Sequence, residues 1–239
     1  MIRILIEKDL RVGLSVLIER AVTASRTKQR EKFRSSQLEQ IRAGAQIHQA
    51  PLLQPLTLES FPPADDAISK LKEFFYERLK SLLRDQGYAP QEIDAVVSLR
   101  PAFLADIPKF LAAVRAFAGL PEAESLAAAN KRVANILKQA EAKGEAFSQS
   151  QVAGFKEKAE YDLFDALKKV SDQATPLLEQ GDFTGYLKTF AVLKTPVDAY
   201  FESVMVMVDD PEVRRNRLAL LRDLRDEMNR IADISKLAA

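Results

Sequence analysis

The sequence contains no cysteine and no tryptophan, a single histidine, and only 8 glycines in 239 residues. Without cysteine there is no disulfide framework and no thiolate metal site, an absence that fits a reducing compartment. The lone His48 lies on a polar segment beside a proline cluster, with no acidic or nucleophilic partner near it in the chain. It reads as a surface histidine. There is no Gly-rich phosphate loop, no nucleophile elbow and no His/Asp/Glu cluster at ligand spacing. Together these absences disfavour an enzyme acting alone. No apolar run approaches the roughly 20 residues of a membrane-spanning helix. Glu7, Lys8 and Asp9 interrupt the one apolar stretch that could begin a signal peptide. Composition thus points to a soluble, mostly helical, cytosolic chain.

What is present is a large apolar fraction, 47%, enough for a sizeable core in one or two domains. The formal net charge of +1 hides an asymmetry. Residues 1–50 hold ten basic and five acidic groups, residues 51–120 eight and nine, and residues 121–239 seventeen and twenty. The basic end suits an anion such as RNA. On charge alone, a solvated helix face is the better-supported reading.

Apolar residues recur at helical spacing, and β-branched alternation is almost absent. Residues 2–8 read as the end of a helix without an N-cap, as though cut from something longer. Residues 12–22 form a second apolar stretch, and 23–49 a polar, basic, helical one. Pro51, Pro55, Pro62 and Pro63 then mark 51–64 as a linker and domain boundary. Beyond it, Asp65 or Asp66 caps a helix running to about Gln86, closed by Gly87. Pro90, Pro108 and Pro121 open the next three. A loop follows over 141–153, then a helix over 155–181. Asp182 caps a short helix, and Thr195-Pro196 and Asp210-Pro211 each supply an N-cap and first helical residue. The expected class is all-α: an antiparallel helical bundle over 65–239, preceded by a helical segment over 1–50.

Two segments carry more. On a helix over 121–140, Leu126, Ala129, Val133, Ile136 or Leu137, and Ala140 share an apolar face. Lys131, Asn135 and Lys138 share a polar one at i, i+4 and i+7. Ammonium groups there suit phosphates, and an amide suits a base edge. An ordinary amphipathic helix has the same pattern. In 200–221 an apolar run ends at Asp210-Pro211, and arginines follow. Asp210 and Arg214 are spaced for an i, i+4 pair. Arg214 and Arg217 are expected to brace neighbouring helices, and the methionines to pack in the core.

The stretch Asp210-x-x-Val213-Arg214-x-x-Arg217-Leu218 resembles the D-A-L-R signature of helical anticodon-binding domains, with Val213 in the usual Leu position. Four blocks extend the likeness: LRDQGYAPQEIDAVVSLRP (83–101), LPEAESLAAANKRVANIL (120–137), YFESVMVMVDDPEVRRNRLALL (200–221) and IADISKL (231–237). In that order they resemble the C-terminus of the bacterial glycyl-tRNA synthetase β subunit. Residues 1–50 resemble, less specifically, the end of the helical region before that domain.

The resemblance implies a cytoplasmic tRNA-binding module of an α₂β₂ enzyme that uses ATP to attach glycine to tRNA. Catalysis would belong to the α subunit. This chain would then have no catalytic residue, metal or cofactor, would not itself bind ATP, and would not contact a membrane. Its partners would be glycine tRNA, the α subunit and the remainder of the β subunit. The candidate RNA contacts are Lys131, Arg132, Asn135 and Lys138 on the helix, Asn130 at its side, and Arg100 and Arg215 in second rank. The alternative is a structural module that docks a partner subunit through 26–42 and the Pro-rich linker without touching RNA.

Overall fold

The computed structural model describes residues 2–42, 64–146 and 149–238. His48 and residues 51–63 of the expected linker lie outside them. The helices are α1 (Ile2–Glu7), α2 (Leu14–Arg42), α3 (Ala64–Asp85), α4 (Pro90–Val97), α5 (Ile107–Ala118), α6 (Ala123–Ala142), α7 (Lys158–Gln180), α8 (Phe183–Thr189), α9 (Lys194–Ser203) and α10 (Pro211–Met228). Short 3₁₀ turns occupy Leu104–Asp106, Val152–Gly154, Phe190–Leu193 and Ile234–Leu237. Among the described residues there is no β-strand, only an isolated bridge between Gly13 and Phe103. The class is all-α, as expected. No helix among the described residues is long and apolar enough to cross a membrane.

Cap chemistry explains several boundaries. Asp182 opens α8 by accepting the Gly185 N–H at 2.8 Å. Asp210 opens α10 by accepting the N–H groups of Glu212 and Val213 at 2.9 and 3.3 Å. Glu92 accepts the Ala89 N–H at 2.9 Å at the start of α4, where Pro90 has no N–H that needs an acceptor. Gly87 and Gly181 follow α3 and α7 at φ of 84° and 79°, a left-handed conformation that glycine adopts without steric penalty.

Other boundaries differ from expectation. The apolar stretch 12–22 and the polar stretch beyond it form one helix, α2, whose expected continuation over 43–49 lies outside the described residues. Asp65 and Asp66 sit inside the first turn of α3, where negative charge complements the helix dipole, rather than before it. Pro121 precedes α6 by a turn. Thr195 and Pro196 lie within α9, because the 3₁₀ turn at Phe190–Leu193 runs directly into that helix and leaves no gap for a cap.

The chain divides into two compact units, Met1–Ser81 with Ala102–Ala105, and Leu82–Pro101 with Asp106–Ala239. In the first, Leu5, Leu14, Ile18, Leu79 and Leu104 are buried, and the Arg11 guanidinium lies 5.0 Å from the centre of the Phe103 ring. In the second, α5 packs on α4 and α8, α7 on α8 and α9, and α6 on α10 and the C-terminal 3₁₀ turn. Its core includes Phe117, Leu137, Leu163, Tyr186, Phe190 and Tyr200, all with no exposed surface. Burial of such side chains stabilises by about 1.5–3 kcal/mol each. The C-terminal turn is tied down at its start, where the Asp233 N–H donates to the Ala95 carbonyl at 2.7 Å.

Candidate nucleic-acid interface

Helix α6 buries Leu126, Ala127, Asn130, Val133, Leu137 and Ala140, a stripe at spacings of three and four. The same periodicity leaves Lys131, Arg132, Asn135 and Lys138 exposed. Packing of the buried stripe on α10 and the C-terminal turn therefore fixes which way the polar face looks.

Arg132 is not loose on that face. Its guanidinium lies over the Phe201 ring of α9, 4.2 Å from the centroid. A cation held over an aromatic face is restrained in position, and a planar guanidinium can stack a nucleobase. Phe201 carried no sequence signal for this, since it stands 69 residues away in a run that reads as core.

Asn130 departs from the expectation of a surface contact. It is 2% exposed. Its Oδ1 accepts the Asn229 side-chain N–H at 3.1 Å, and Asn229 Oδ1 in turn accepts the Ile234 N–H at 3.1 Å. The amide therefore links α6 to the end of α10 and to the C-terminal turn. It is the immediate neighbour of Lys131, and that single step of about 100° turns a side chain from solvent to core.

Arg100 and Arg215 sit on other elements. Arg100 follows α4, exposed, in a left-handed conformation at φ 50°. Arg215 is exposed on α10 and donates from Nε to the Pro211 carbonyl at 3.1 Å. It lines a cleft of about 520 Å³ with Gln149, Gln151, Gly154, Glu212 and Asn216. One wall of this cleft is pinned. The Asn216 amide accepts the Gln151 N–H at 2.7 Å and donates to the Gln151 carbonyl at 2.9 Å. Gly154 lies beneath the clamp, where a Cβ would come within 2.7 Å of Asn216 Nδ2.

The residues of the Asp-x-x-Val-Arg motif hold the scaffold together. The Asp210 carboxylate is taken up by the helix start, and its hydrogen bonds to Val213 and Glu212 hold its pKa below the usual range. Arg214 does not form the spaced ion pair with it. It pairs with Glu145 at 2.8 Å and donates to the Val208 and Asp209 carbonyls. Arg217 is 5% exposed and binds both carboxylate oxygens of Glu160, at 3.1 and 3.3 Å, and the Met205 carbonyl at 2.8 Å. Glu160 also accepts the N–H groups of Lys156 and Glu157. Burial pushes the Glu160 carboxyl up. The hydrogen bonds from Arg217, Glu157 and Lys156 outweigh that and hold it low. Both arginines brace as expected, Arg217 from α10 to α7 and Arg214 from α10 to the segments after α6 and α9, whereas Met205 and Met207, expected in the core, are 72% and 41% exposed. Sequence reasoning missed the arginines' partners, Glu145 and Glu160, which lie 69 and 57 residues away.

Residues 126–236 match the DALR anticodon binding domain family. Over 238 residues, all of this chain, the sequence is 46% identical to a glycine–tRNA ligase β subunit of Nitrosomonas europaea and covers 30% of it. Over 175 residues, 73% of the chain, it is 52% identical to that of Methylobacillus flagellatus and covers 24% of it. Over 173 residues, 72% of the chain, it is 54% identical to that of Dechloromonas aromatica, again covering 24%. The chain thus spans less than a third of the length of these relatives. It belongs to the glycine–tRNA ligase β-subunit family, corresponds to the C-terminal part of that subunit, and contains a DALR anticodon binding domain.

Proposed function

We propose that this chain binds glycine tRNA and reads its anticodon region through the exposed face of α6. It would do so as the tRNA-positioning part of an α₂β₂ ligase in the cytoplasm, whose α subunit uses ATP to attach glycine. On this reading the chain needs neither a catalytic residue nor a cofactor of its own. The observation that carries the reading is the face itself: Lys131, Arg132, Asn135 and Lys138 are exposed on one helix, with the Arg132 guanidinium over the Phe201 ring, inside the segment that matches an anticodon-binding family. Glycine anticodons end in two cytosines. Each cytosine edge offers an amino donor and two acceptors, which an asparagine amide and a guanidinium can match.

The test is binding of the chain to glycine tRNA across a salt series, beside the same tRNA with both cytosines changed. Wild type should prefer the unaltered tRNA. Lys131→Gln should weaken both complexes alike and reduce the salt slope by about 1. Asn135→Ala should reduce discrimination by about 1–3 kcal/mol. If Asn135→Ala retains the full preference, Asn135 is not a base reader.

Asn130→Ala separates the structural amide from its exposed neighbours. It should cost about 1–2 kcal/mol of stability, because the Asn229 amide loses its partner. The tRNA preference of the folded variant should stay unchanged. A changed preference with unchanged stability would reverse the assignment.

A further inference from the structure

The exposed length of α2 does not behave as an ordinary solvated face. Residues 20–36 contain Arg20, Arg26, Lys28, Arg30, Lys32 and Arg34 against a single acid, Glu31. Arg26 is half-buried and the other five cations are exposed. A solvent-facing helix usually alternates charge sign, so that acids and bases pair at i, i+4. Here three i, i+4 pairs are like-charged: Arg26 with Arg30, Arg30 with Arg34, and Lys28 with Lys32. Such pairs destabilise a helix rather than support it. Within the same unit Lys72 lies 3.9 Å from Glu19. No such partner relieves Lys28, Arg30, Lys32 or Arg34 among the described residues.

The helix also has little to bury in this stretch. Between Thr23 and Ser36 the only apolar residues are Ala24 and Phe33. Thr27 and Ser35 turn their hydroxyls back to the carbonyls of Thr23 and Glu31, at 3.1 and 2.9 Å. What faces outward is therefore a run of long cationic side chains. Arg30 and Arg34 lie one turn apart, about 6 Å along the axis. A polyanion would remove the repulsion between these cations and release its own counterions.

From this charge pattern we infer that residues 20–36 of α2 form an RNA-backbone contact surface outside the matched domain, gripping phosphates without regard to base. The inference rests on the reading that the chain binds tRNA. It assigns α2 the sequence-independent part of that binding.

The experiment compares the complete 239-residue chain with an Arg30→Gln/Arg34→Gln double variant and an Arg30→Lys/Arg34→Lys control. Each is titrated with glycine tRNA and with the anticodon-altered tRNA over a salt series. Circular dichroism checks the helix content, which the glutamines should not lower, since they are good helix formers and relieve repulsion. The glutamine variant should lower the magnitude of the log K against log salt slope by about 1.4–1.8, at 0.7–0.9 per charge. It should weaken both tRNAs by the same factor. The lysine control should keep the wild-type slope. An unchanged slope in the glutamine variant overturns the inference, and leaves α2 as a face for an acidic protein partner. If that happens while wild type still prefers the unaltered tRNA, the anticodon reading stands alone. If the slope falls but wild type shows no preference, the α2 surface stands and the anticodon reading fails. Absence of any salt-dependent complex overturns both.

Discussion

Replacing Arg217 by alanine is expected to cost about 3–5 kcal/mol of folding stability, read as a lower urea midpoint for the 239-residue chain. The side chain is 5% exposed, and its partner Glu160 has no exposed surface. Truncation leaves the Glu160 carboxylate buried with only the Lys156 and Glu157 N–H groups, and strips the Met205 carbonyl of its donor. A typical domain is stable by only about 5–15 kcal/mol, so the loss is a large share of the total. Removing both charges, as Glu160→Met with Arg217→Met, should cost less than the single change, because no unpaired ion remains. The pair also predicts an acid response. Since the folded state holds the Glu160 carboxyl below its unfolded value, its contribution is complete above the unfolded pKa. It is lost as pH falls through the lower, folded value. Glu160→Gln should therefore be less stable at neutral pH and show a flatter acid limb. An acid limb as steep as wild type would remove Glu160 from the explanation.

Phe190→Ala should be about as damaging, at about 3–5 kcal/mol by the same measurement. The ring is fully buried and meets Tyr186 edge-to-face, with centroids 5.1 Å apart. Tyr186 is itself fully buried and donates its hydroxyl to the Glu227 carbonyl near the end of α10. Truncating Phe190 thus opens a cavity and removes the wall that sets the Tyr186 ring. Phe190→Leu should recover a large part of the loss, since most of the volume is restored. A cost under 1 kcal/mol for the alanine variant would mean that α8 and α9 repack around the gap.

The helix starts at Asp182 and Asp210, and the glycine that closes α7, were legible because their chemistry is local: a carboxylate reaches N–H groups two or three residues on, and glycine alone adopts the left-handed turn freely. The start of α9 was not, because the backbone before it was already turning, and no propensity rule sees that. Bracing by Arg214 and Arg217 could be anticipated from the arginine positions. Glu145 and Glu160 could not be named, because nothing in a linear pattern pairs residues so far apart. Helical spacing predicted an exposed face on α6 with Lys131, Asn135 and Lys138. It placed Asn130 at the side of that face. Only the position of Asn229 shows why a polar residue occupies the buried stripe.

The clamp of Asn216 on Gln151 limits which sequences this fold can explore. A methyl group at position 154 would displace the Asn216 amide, and the amide cannot move without releasing both of its hydrogen bonds to residue 151. Positions 154 and 216 are therefore not free to drift separately. A side chain at 154 would press on the end of Asn216, which can swing aside only by giving up its tether on residue 151.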